Sequence, residues 1–200
     1  FYFAVAAGQI HVKAALAGPN VAWDIITTGA LLQPHVWHHL AVVQDGAWPK
    51  IYVDGVLRSV TLTDKTEGDY WFDEFTLIDG GHIGCADSIA GDAALTLEFK
   101  GAISNVKYWN TTLTAAQVVD DYHEVNYTTG LIAHWAFNGD YLESVTAYDG
   151  TKVGDIVLTS NFSEFTSRFR YEPAVAVVVA DKVLFTADGG TGHAILIKAA

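Results

Sequence analysis

Apolar and polar residues alternate with a period of two over short segments of the first hundred residues, and Gly, Asp, Asn and Pro interrupt them at intervals suited to a β-sandwich. Residues 2–5 and 10–14 predict two strands joined at Gly8-Gln9, where a missing β-carbon eases the turn. Residues 36–43, 51–53 and 56–62 predict a meander with turns at Asp45-Gly46 and Asp54-Gly55. Strands are also expected at 96–99 and 102–109. A short surface helix is expected at 114–122, where Thr114 offers its side-chain oxygen to the first turn and Gln117 completes a capping box. After Gly130 the pattern predicts further strands at 131–137, 156–159, 167–171, 175–180, 183–186 and 194–198. Residues 63–75, crowded with Asp64, Glu67, Asp69, Tyr70, Trp71, Phe72, Asp73 and Glu74, read as a long loop.

Composition supports a core-forming chain: half of the 200 residues are hydrophobic and 17% are charged. Eleven Lys and Arg against 23 Asp and Glu give a net charge of −12, which disfavours phosphate backbones and anionic bilayers. Nucleic acid is therefore not an expected partner. No apolar run approaches the ~20 residues of a membrane-spanning helix, so no membrane insertion is expected. No Met opens the chain and Phe1 already fits a strand, so the sequence reads as a segment of something longer. Cys85 is the single cysteine and is expected to be a small buried hydrophobe. Asn110, Asn126 and Asn161 each open an Asn-x-Ser/Thr sequon.

Three segments carry a family resemblance. Trp37-His38-His39-Leu40-Ala41-Val42-Val43 precedes Asp45-Gly46 and Ile51-Tyr52-Val53-Asp54-Gly55-Val56-Leu57. Phe99-Lys100-Gly101-Ala102-Ile103-Ser104-Asn105-Val106-Lys107-Tyr108-Trp109-Asn110 continues into Leu113-Thr114-Ala115-Ala116-Gln117-Val118. Gly130-Leu131-Ile132-Ala133-His134-Trp135-Ala136-Phe137-Asn138-Gly139 is followed by Asp149-Gly150-Thr151. Together they resemble the laminin-G-like and pentraxin-like branch of the concanavalin A-like superfamily. That resemblance implies an all-β fold, an antiparallel two-sheet jelly-roll sandwich with one short helix, in which Trp37, Leu40, Val42, Tyr52 and Trp109 pack the core.

The third segment is similar to the strand that opens such a domain, yet here it follows the helix that normally closes one. Residues 1–126 then supply the later strands and helix, and 131–200 the opening strands. Closure of both into a single domain over 1–200 is the expectation. The alternative is a chain that completes its sandwich with neighbouring copies, as a homo-oligomer or polymer.

Candidate chemistry points to binding. Glycoside hydrolysis needs two carboxyls flanking the scissile bond, and Asp73-Glu74, adjacent on a strand, would face opposite ways. The chain is therefore read as not an enzyme. The adjacent His38-His39 cannot chelate one ion from a strand, and the resemblance implies that this dipeptide is structural. Glycan recognition needs aromatic faces and planar polar groups, which Asp69, Tyr70, Trp71 and Asp73 supply, with Trp48 in the turn region before Pro49. The resemblance further implies calcium as a candidate cofactor. The family's acidic ligand positions fall here at Asn138 and at Ser104-Asn105, which leaves Asn138, Asp140 and Asn105 as a reduced oxygen set. The expected function is a non-catalytic recognition module, glycan-binding or adhesive, outside a cell or on the surface of a cell or virus particle. The alternative is a structural subunit of a filament, sheath or virion surface built by strand exchange, with neighbouring subunits as partners.

Overall fold

The computed structural model of the chain describes residues 2–15, 21–65, 83–84, 86–87, 95–96, 99–137, 144–145 and 193–199. Four strands make one antiparallel sheet: β1 (Tyr2–Ala6), β2 (Gln9–Ala15), β3 (Val21–Thr27) and, out of sequence order, β7 (Val60–Lys65). A second sheet contains β4 (His38–Gln44), β5 (Lys50–Val53), β6 (Val56–Leu57), β10 (Ile103–Trp109), β11 (Leu131–Trp135) and β12 (His193–Ala199), in the spatial order β11-β10-β12-β4-β5-β6. β8 (Ala86–Asp87) and β9 (Leu95–Thr96) pair separately, and the helix α1 spans Ala115–Tyr122. Every pairing is antiparallel. The protein is an all-β sandwich, with one short helix among the described residues.

The alternation read from the sequence decides which side chains meet between the sheets. Ile10, Val12, Trp23 and Ile25 from the four-stranded sheet and Leu40, Val42, Ile51, Val53, Val106, Tyr108 and Trp135 from the six-stranded sheet share one buried cluster. The intervening residues of the larger sheet, Ala41, Val43, Tyr52 and Trp109, point the other way and pack with Leu113 and Val118 beneath α1. Both faces of β4 and β5 are therefore apolar, as expected of strands covered on two sides. A sheet–sheet layer lies on one side and a sheet–helix layer on the other. Tyr52 and Trp109 belong to the helix layer rather than to the inter-sheet core, and Trp37 is only half-buried.

α1 begins as its sequence dictates. Thr114 Oγ1 accepts from the Gln117 backbone N–H at 3.3 Å while Gln117 Oε1 accepts from the Thr114 N–H at 2.8 Å. The hairpin between β5 and β6 turns on Asp54 and Gly55, both at positive φ (53° and 74°), the geometry that Asp-Gly favours. A β-carbon on Gly55 would come within 3.2 Å of Tyr122, so the turn lies against the end of α1.

Several expectations are corrected. β3 is a strand that the alternation missed. The stretch 56–62 is two strands in different sheets, because the chain crosses from one to the other at Arg58-Ser59, and residues 63–65 extend β7 instead of opening a loop. The first hairpin turns at Ala7-Gly8, one residue early. The strands expected at 156–159, 167–171, 175–180 and 183–186 lie outside the described residues, as does Cys85.

Candidate functional site

Gln44, buried at the end of β4, builds the turn that presents Trp48. Its Oε1 accepts from the backbone N–H of Gly46 at 2.7 Å and of Ala47 at 3.1 Å, while Asp45 pairs with Lys50. With the turn held from inside, Trp48 is left 38% exposed. Beside it runs an open groove of about 500 Å³ lined by Trp48, Pro49, Lys50, Leu57, Arg58 and Ser59. β6 and the crossover after it supply the far wall. The Arg58 backbone N–H donates to Ile51 O at 2.9 Å and its Nη2 to Val53 O at 3.2 Å. Its Nε is buried without a hydrogen-bond partner among the described residues. The hydrogen bond to Asp45 raises the Lys50 pKa above its ordinary 10.5, so the ammonium stays charged. The groove thus joins an aromatic face, exposed aliphatic surface at Leu57, a guanidinium and a hydroxyl. That combination suits a ligand with one apolar face and several hydroxyl groups.

A second polar cluster is buried. His39 and Asp121 each have side chains 1% exposed, with Nε2 to Oδ2 at 3.2 Å, and Lys107 Nζ donates to Asp121 Oδ1 at 2.6 Å. Burial opposes ionisation of Asp121, but the His39 hydrogen bond and the Lys107 charge outweigh it and hold the carboxyl below its ordinary 3.8. His38 faces the other way. Its Nε2 accepts from the Gln33 N–H at 3.1 Å, so its Nδ1 carries the proton donated to Asp54 Oδ2 at 2.9 Å. Asp54 also accepts from the His39 N–H at 2.9 Å, and these bonds lower its pKa although burial opposes ionisation. His39 ties the sheet to α1 and His38 ties it to the β5–β6 turn, a structural role as the family resemblance implies for this dipeptide.

Of the residues singled out for ligand binding, Trp48 lines the groove, whereas Asp69, Tyr70, Trp71 and Asp73 lie outside the described residues. Of the candidate calcium ligands, Asn138 and Asp140 also lie outside them. Asn105 occupies a bulge of β10 at φ 51°, where its Oδ1 accepts from His134 Nε2 at 3.2 Å. A neutral oxygen already receiving an N–H is a poor hard-cation ligand, so the described part of this set does not by itself make a calcium centre. Among the described residues no three His, Cys, Asp or Glu side chains gather as metal ligands. Arg58, Ser59 and Leu57 were not foreseen as groove residues. Their only advance signal was the Asp-Gly turn that folds β6 back beside Trp48.

A laminin G-type family model, described as the concanavalin A-like lectin/glucanases superfamily, matches residues 1–119. The chain belongs to this superfamily. The match covers β1 to β10 and most of α1, and with them every residue lining the groove. No curated protein and no solved structure matched the chain. In this concanavalin A-like chain, β11 and β12 lie beyond the matched stretch but flank β10 within the same sheet.

Proposed function

We propose that the chain is a non-catalytic recognition module that binds glycan, with Trp48 as the stacking platform of the groove. The observation that carries this reading is an exposed indole fixed by an internally hydrogen-bonded turn beside an arginine whose buried Nε has no partner among the described residues. Superfamily membership adds support, and a location outside the cell or on a cell or virus surface is part of the same proposal. A ligand sugar would lay its apolar face on Trp48 and offer hydroxyls to Arg58 and Ser59.

Glycan-array screening followed by fluorescence titration tests this. Because Trp48 sits 38% exposed on a turn that Gln44 holds, Trp48→Ala should lower the melting temperature by no more than about 2–4 °C while weakening binding at least tenfold, the scale of losing an aromatic anchor worth ~1.4 kcal/mol or more. Unchanged affinity in a folded variant sinks the groove assignment. Size-exclusion chromatography of the same preparation addresses the second reading, a structural subunit. Its support is β12, a strand from late in the chain seated between β4 and β10, where a copy's strand could exchange. Monomers on the column remove that reading.

Calcium is proposed only as a stabiliser held through Asn138 and Asp140. In a calcium titration, a melting midpoint that falls with chelator and recovers with Ca²⁺ would support it by mass action. An indifferent midpoint removes the ion.

A further inference from the structure

We propose that Asn126, and not Asn110, is the N-glycan acceptor in the described part of this chain. Both asparagines open sequons, Asn110-Thr111-Thr112 and Asn126-Tyr127-Thr128, but the fold treats them in opposite ways. Asn126 lies in the loop between α1 and β11; it is exposed, and so is Thr128. Its neighbour Val125 is 54% exposed, so this loop presents apolar surface that an attached glycan would cover.

Asn110 is built into the structure. Its backbone N–H donates to Gly130 O at 2.9 Å, and Gly130 sits so close that a β-carbon there would lie 1.9 Å from Thr111 Cγ2 and 3.0 Å from Asn110 Oδ1. The Thr112 hydroxyl, the part of the sequon an acceptor site must leave free, donates to Gln44 O at 3.1 Å. That bond ties the segment to the same Gln44 that organises the Trp48 turn. An oligosaccharide on Asn110 would displace Gly130 and Thr111 and break this connection, so a chain glycosylated there would not reach the native fold.

The reaction is a group transfer. The Asn126 Nδ2 forms a bond to the anomeric carbon of a lipid-pyrophosphate-linked oligosaccharide, the bond from that carbon to the pyrophosphate oxygen breaks, and the amide loses one proton as the lipid pyrophosphate leaves. This inference does not rest on the groove. Protein made without glycosylation still reports on sugar binding, so the two proposals fail separately.

The test is secretion of the full 200-residue chain, behind an added signal peptide, from a glycosylating eukaryotic host. Peptide-N-glycosidase treatment in heavy-oxygen water and peptide mapping then read each acceptor as an isotope-marked Asn-to-Asp conversion. The expected result is conversion at Asn126 and none at Asn110 in the folded, monodisperse fraction. Asn126→Gln should lose the modification at that peptide while secreting to the same level, and Asn110→Gln should leave it unchanged. Folded protein bearing glycan on Asn110, or with Asn126 unmodified, overturns the proposal.

Discussion

Asp121→Ala is expected to reduce the unfolding free energy by about 3–5 kcal/mol at neutral pH, because it leaves the Lys107 ammonium and His39 facing a dry site with no counter-charge. The geometry makes this larger than a surface ion pair would. Asp121 is 2% exposed and joins α1 to β4 through His39 and to β10 through Lys107, two strands that β12 separates. The acid dependence follows from the direction of the pKa shift. A carboxyl whose folded pKa lies below its ordinary 3.8 contributes stability above that value and loses it as pH falls through the folded pKa. Asp54 is shifted in the same direction and survives in the variant, so it cancels in the comparison. Urea midpoints measured from pH 7 down to pH 2 should show the wild-type and Asp121→Ala curves converging below pH ~4. A gap that stays constant with pH would mean that the residue acts through packing alone.

Much of the fold was legible because the signals were local. The Asp54-Gly55 turn, the Thr114–Gln117 capping box and the strands β4 and β10 each depend on residues a few positions apart, and each is present as expected. β3 was hidden by its second half, where the apolar Ile26 takes an outward position and the polar Thr27 is buried; Asp24, outward between Trp23 and Ile25, fits the alternation. In the fold that carboxylate lies across from β2, where His11 and Lys13 both reach it, so the charge is matched by a neighbouring strand and not by its own. The division of 56–62 did leave a local trace: the apolar pair Val56-Leu57 is followed by the polar pair Arg58-Ser59, so the alternation breaks where the chain changes sheets. Period-two reading also cannot say which apolar face of a doubly covered strand meets the other sheet, hence the misplacement of Tyr52 and Trp109, while Trp37 stands just before β4 begins. The site was half-legible on the same grounds. An exposed Trp48 before Pro49 is a local feature; the arginine opposite it and the His39–Asp121 bond, spanning 82 positions, are products of the tertiary fold.

Trp135→Ala tests whether the stretch beyond the superfamily match belongs to the same cooperative unit. Trp135 is 1% exposed on β11, and its cluster includes Trp23 and Ile25 of the four-stranded sheet and Leu40 and Val42 of β4. Truncating a buried indole removes its transfer free energy and leaves a cavity, a loss of about 3–5 kcal/mol, which lowers the melting temperature of a chain this size by roughly 6–20 °C. A single domain over residues 1–200, closed by β11 and β12, requires the entire transition to move as one, seen alike by near-ultraviolet dichroism and by calorimetry. If 131–200 formed a unit of its own, one transition would shift and a second, reporting the β1–β7 sheet, would stay where it was. Trp135 stands opposite Val106 and shares the inter-sheet cluster with it and Tyr108, so removing the indole opens the core where matched and unmatched sequence meet.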